Sequence, residues 1–88
     1  MGVMKEMHAE IINKLAIFIT GKILKQPGRK LSEDEHLISS GLIDSFSLVD
    51  ISLFVEEEFN VQIDDTELNA ETFDTLNELA NLITRRQH

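Results

Sequence analysis

Ser45 stands between Asp44 and Phe46 in the stretch "SSGLIDSFSLVD", residues 39 to 50, where a Gly-containing loop turns into an apolar, helix-like run. A serine there has three chemistries open to it. It can cap the helix, because a short oxygen at a helix start accepts an orphan backbone N–H. It can be a nucleophile, which requires a base within hydrogen-bond reach and a site for the oxyanion. It can be a point of attachment, since the positive end of a helix suits a phosphate. Hydrolysis fits worst. The motif lacks the two glycines of a G-x-S-x-G elbow, and His36 is the nearest histidine in the chain. Capping by Asp44 or Ser45 and attachment at Ser45 are compatible with each other.

The remaining residues that could do chemistry are few. There is no Cys, which removes disulfides and thiol chemistry. His8, His36 and His88 form no ligand pair at helical spacing, and structural or surface roles are expected of them. No EF-hand spacing occurs among the acids. We therefore expect no catalytic residue and no metal site.

The elements that position Ser45 follow from periodicity. Over residues 3 to 20, Met4, Met7, Ile11, Leu15 and Phe18 recur every three or four residues, which predicts a first helix. Gly21 weakens it, "KIL" can add a ragged last turn, and Pro27 with Gly28 stops it. Residues 25 to 44 read as a long loop with Leu31, Leu37, Ile38, Leu42 and Ile43 as anchors. Residues 45 to 59 are the second helix. Asp64 or Asp65 caps a short helix near 65–69, and Thr75 with Glu78 forms a capping box for a last helix near 75–85. Leu76, Leu79, Leu82 and Ile83 make the inner stripe of that last helix. "FNVQI" alternates but is too short and isolated to build a sheet. The expected fold is all-α: a small four-helix bundle of three longer helices plus one short one, with a long loop between helices 1 and 2. Residues 1–88 form a single domain. Its core should include Ile11, Leu15, Phe18, Leu42, Leu48, Ile51, Val55, Phe59, Leu79 and Leu82.

On the second helix, a step of about 100° per residue gathers Leu48, Ile51, Val55 and Phe59 on one face. Phe46, Val49 and Leu53 gather on the side of Ser45, interleaved with Asp50, Glu56 and Glu57. Either the long loop covers this second apolar strip, or it is a docking surface with an acidic border. Charge is consistent with docking. The net charge is -8, and residues 31 to 84 hold 14 acids and no Lys or Arg. Phosphate backbones would be repelled, which excludes nucleic acid as a partner of that region, and basic partners would be attracted. No apolar run approaches the roughly 20 residues of a membrane span. The N-terminal residues lack a secretory apolar region, and Glu6 stands where myristoylation wants Ser or Thr. A cytoplasmic monomer without membrane insertion is expected.

Residues 39 to 59, "SSGLIDSFSLVDISLFVEEEF", resemble the modification motif of the acyl and peptidyl carrier proteins, and "NVQIDDTELNAETFDTLNELANLI" resembles the segment that follows it there. The resemblance implies a carrier, not an enzyme. A phosphopantetheinyl transferase would place 4'-phosphopantetheine from coenzyme A on Ser45, with Asp44 as the acid before it. The arm would hold acyl or aminoacyl groups as thioesters. Asp50, Glu56 and Glu57 would meet basic docking patches on a loading ligase and on the other enzymes of a biosynthetic pathway, and Phe46 and Leu53 would supply apolar contacts. The chain departs from the family pattern at Phe46, where Leu or Met is more usual. It departs again at Ser47, where many fatty-acid carriers have an acid, and at Phe54, a position often small. These departures point to a discrete, specialised carrier rather than the general fatty-acid carrier. Fatty acyl, hydroxyacyl, polyketide and aminoacyl cargoes all stay open. The alternative is an unmodified acidic helical module that uses the apolar strip to bind one partner.

Overall fold

The computed structural model describes the backbone of residues 3–87 and the side chains of residues 8–87. Helix α1 runs Val3–Phe18, α2 runs Ser45–Phe59 and α3 runs Leu76–Arg86. Met4 and Met7, expected on the inner stripe of α1, lie outside the described side chains, as does His88.

The first helix does not stop at residue 20. It continues as a π-helical turn over Ile19–Ile23. Thr20 Oγ1 donates to the carbonyl of Ala16 at 2.8 Å, and the Leu24 N–H reaches back five residues to Ile19 at 2.8 Å. Local widening of this kind is the π-bulge pattern. Lys25 then takes the left-handed conformation, with φ of 57°, which ends the helix where Gly is the usual choice.

One apolar cluster joins all three helices. Ile11, Leu15 and Ile19 come from α1, Leu48, Ile51 and Val55 from α2, and Leu76, Leu79, Ala80, Leu82 and Ile83 from α3. Burying each large aliphatic side chain contributes about 1.5–3 kcal/mol. Three of the expected core residues, Phe18, Leu42 and Phe59, are instead half-buried at its edge. Phe18 stacks on Phe54 with centroids 4.2 Å apart, and Phe54 meets Phe59 edge-on at 6.1 Å, so these rings line the seam between α1 and α2. Ile19 takes the inward position that was expected of Phe18.

The segment after α2 explains one reading and corrects another. Asn60, at φ of 58°, ends α2 in the left-handed region. Val61 and Ile63 are then buried while Gln62 faces out, so "FNVQI" alternates because extended backbone lies along the core, with no strand among the described residues. The expected short helix near 65–69 is a three-residue 3-10 turn, Asp65–Glu67. Asp64 does cap it, with Glu67 completing the reciprocal box. Asn69 ends it early. Its Nδ2 donates to the Thr66 carbonyl at 2.8 Å and its Oδ1 accepts the Thr72 N–H at 2.9 Å, bonds that compete with further helix.

Glu67 is also clasped by α3. Arg86 donates twice to its carboxylate, once at 2.9 Å, and once more to the Gln62 carbonyl at 3.1 Å. Arg86, with the Asp64 N–H, holds the Glu67 carboxyl down at about 2, from 4.5. A carboxyl pKa lowered by folding stabilises above its unfolded value, and the gain is lost as pH falls through the folded value. Side-chain exposures of 36% and 25% leave this pair open to solvent, so we expect Glu67→Gln to cost about 1 kcal/mol at neutral pH. That is a fall of ~4–8 °C in Tm for a domain of this size. The gap between variant and wild type should close as pH falls from 4.5 toward 2. A thermal melt series across that range measures it, and a constant gap would contradict the assignment.

Candidate functional site

Ser45 is the first residue of α2 and is exposed. The cap is Asp44. Its backbone is extended, and its Oδ1 accepts the Ser47 N–H at 2.8 Å. That hydrogen bond holds the Asp44 carboxyl below the usual carboxylate value. Of the two residues either of which could have capped the helix, Asp44 does so, and the Ser45 hydroxyl is not needed for it.

The nucleophile reading fares differently. His36 Nδ1 lies 2.9 Å from Asp74 Oδ2, and Ser39 Oγ donates to the same carboxylate. Ser39 and His36 thus both address the acid rather than each other, and His36 is committed at Asp74. His8 bonds Asn77 across α1 and α3 at 2.7 Å.

The chain is delivered to Ser45 by an anchored loop. Leu37 and Ile43 are buried, and Leu31, Ile38 and Leu42 are half-buried. The Ile43 N–H bonds the Leu37 carbonyl at 2.9 Å, closing a turn in which Gly41 has φ of +82°. A side chain at Gly41 would be strained there. The loop also serves α3: the Glu33 carbonyl accepts the Asn77 N–H at 3.0 Å, one of that helix's orphan donors. Thr75 Oγ1 accepts the Glu78 N–H at 3.0 Å as expected. The return bond of the capping box is displaced, because Glu78 reaches the N–H of Asp74, one residue before the cap, at 2.7 Å.

Beside Ser45 the second apolar strip is open. Phe46 is 84% exposed, Val49 48% and Leu53 54%, so the loop does not cover them. Asp50, Glu56 and Glu57 border the strip and are exposed. Among the described residues the ion pairs are Lys14–Glu58, Arg29–Glu35, His36–Asp74 and Arg86–Glu67. The acids beside Ser45 belong to none of them, although Glu56 accepts a long bond of 3.4 Å from Gln62.

Sequence reasoning missed the far side of α2. Ile17 is 65% exposed. It lines an open groove of about 550 Å³ between α1 and α2 with Phe18, Gly21 and Phe54, and Lys14, Lys22 and Glu58 also line it. Lys22 also lines a smaller groove with Asp50, Leu53 and Glu57. The cation absent from residues 31 to 84 is therefore supplied in space by α1's end. Exposure at Ile17 had no sequence signal beyond its place between the inward positions Leu15 and Ile19.

The profile of the phosphopantetheine attachment site family matches residues 17–83, well over half of the chain and all of α2 with its flanking loops. The chain belongs to that family: it is a carrier protein, not an enzyme, whose prosthetic group is covalently attached 4'-phosphopantetheine. It is 25% identical over 79 residues to the D-alanyl carrier protein of Bacillus velezensis, covering 90% of this chain and 95% of that protein. Among the described residues no helix is long and apolar enough to cross a membrane.

Proposed function

We propose that Ser45 is the attachment residue and that residues 1–88 act as one carrier domain. The observation that carries this reading is the exposed Ser45 at the start of α2, relieved of capping by Asp44 and set beside an open apolar strip. These residues fit a group joined through a phosphodiester. No side-chain wall stands over the hydroxyl, and the first turn of α2 presents the positive end of the helix dipole. Ser45 Oγ would attack the phosphorus at the pantetheine end of coenzyme A. The Oγ–P bond forms as the pyrophosphate P–O bond breaks and adenosine 3',5'-bisphosphate leaves, while the serine proton passes to a base that the transferase supplies. The group's thiol, when bound, holds a thioester. This chain's own residues orient and present it: Asp44 fixes the start of the helix, Phe46, Val49 and Leu53 offer apolar contact, and Asp50, Glu56 and Glu57 attract basic patches. The partners in this reading are a phosphopantetheinyl transferase, a loading ligase and the enzymes of one biosynthetic pathway. The setting is the cytoplasm and the carrier is monomeric.

The cargo is an acyl or aminoacyl group. Similarity to a protein described as a D-alanyl carrier, matched over 95% of its length, supports the aminoacyl choice and a discrete carrier.

Intact mass after incubation with coenzyme A and a broad-specificity transferase tests the assignment. One adduct is expected on wild type and none on Ser45→Ala, whose fold should be unchanged because the hydroxyl is exposed. An adduct that persists in Ser45→Ala would move the site elsewhere. No adduct on folded wild type would favour an unmodified interaction module.

A further inference from the structure

Asp74 lies far from Ser45 in sequence, yet its carboxylate organises the loop that leads there. Its side chain is only 12% exposed. Oδ1 accepts the N–H groups of Ile38 at 2.7 Å and Ser39 at 2.9 Å. Oδ2 accepts from Ser39 Oγ and faces His36 Nδ1 at 2.9 Å. The Asp74 carbonyl takes the Leu37 N–H at 2.7 Å. Four consecutive residues, 36 to 39, are thus bound to one residue at the entrance to α3. From there Leu37 holds Ile43 through the 2.9 Å backbone bond, and Ile43, 2% exposed, is two residues from Ser45. Burial alone would push the Asp74 carboxyl up, but these donors together hold it well below the usual carboxylate range.

We propose that Asp74 is a positioning residue for modification of Ser45: it locks residues 36–43 in the arrangement in which a transferase receives the serine. The proposal rests on the attachment reading above. Without the latch, a partner must order the loop as it docks, and that cost appears as weaker binding.

The test uses the whole chain, coenzyme A and a transferase, with initial rates measured against carrier concentration. Asp74→Asn keeps one acceptor oxygen and loses the other. Ser39→Ala is the milder variant, should the first fold poorly. Arg86→Ala is the control, since it loosens the opposite clasp of α3. Temperatures are chosen so that all variants stand equally far below their melting points. We expect Asp74→Asn to raise KM for the carrier roughly tenfold with kcat little changed. Ser39→Ala should do the same to a smaller extent, and Arg86→Ala should leave KM as in wild type. Hydrogen exchange should quicken at the amides of Ile38, Ser39 and Ile43 and stay slow through α1 and α3. An unchanged KM in Asp74→Asn despite faster loop exchange would overturn the proposal, as would an equal rise in Arg86→Ala. Unchanged exchange at those three amides would overturn the latch itself. Wild type that takes no adduct at Ser45 would instead remove the attachment reading, and the proposal with it.

Discussion

Phe73→Ala is expected to leave much of the chain unfolded at physiological temperature. Phe73 is 1% exposed and is the largest fully buried side chain among the described residues. It sits immediately before Asp74 and packs in the cluster shared by all three helices. Truncating a buried Phe costs about 3–5 kcal/mol through lost transfer energy and the cavity left behind. A chain of 88 residues belongs at the low end of the ~5–15 kcal/mol range of domain stabilities. The loss is therefore most of what there is. With no Trp or Tyr in the chain, urea unfolding followed by far-UV circular dichroism is the measurement. The midpoint should fall while the slope stays near that of wild type. A loss below about 1 kcal/mol would mean that the core closes over the gap.

Glu57→Lys should slow modification of Ser45 roughly tenfold at low salt, with the deficit shrinking toward 1 M, where screening reaches ~3 Å. Glu57 is exposed, stands in none of the ion pairs and shares a groove with Asp50 and Lys22. A second cation beside Lys22 would cancel the field of Asp50 where a basic partner approaches. Reversal of an exposed rim charge acts on association more than on release. Phe46→Ala should also slow modification, through lost apolar contact, and its deficit should change little with salt. Neither variant should alter the melting temperature much, since both side chains face solvent. Initial rates against ionic strength give the answer. Equal salt slopes for wild type and Glu57→Lys would leave these acids only the task of keeping the protein dissolved.

The parts of the fold visible in the sequence were those with a local cause. Helix α2 announced itself through Leu48, Ile51 and Val55 at helical spacing behind a capping acid, and the structure keeps its bounds at 45 and 59. The same spacing put Phe46, Val49 and Leu53 on the outer face, where they are found. Readings failed where distant contacts decide. Val61 and Ile63 alternate with Gln62 in a stretch too short to read as an element, Phe73 lies in an irregular segment that no period marks, and packing against the helices buries all three. The π turn at Ile19–Ile23 coincides with a bond from the Thr20 hydroxyl to the Ala16 carbonyl, which no periodicity marks. Asp74 looked like one more acid in an acidic chain. Its donors lie 35 to 38 positions away, and its place before the Thr75 cap gave no hint of them.

The exposed turn from Lys25 to Lys30 has a practical result for peptide mapping. Lys25, Arg29 and Lys30 all face solvent around Pro27 and Gly28. The next Lys or Arg in the chain is Arg85. Trypsin acting on the native protein should nick this turn first, because exposed loop tips are the preferred sites of cleavage. However far digestion then proceeds, no cut can fall between Leu31 and Thr84. Ser45, its capping acid, the apolar strip and Asp74 all remain on a single peptide, which carries whatever is bonded to the serine.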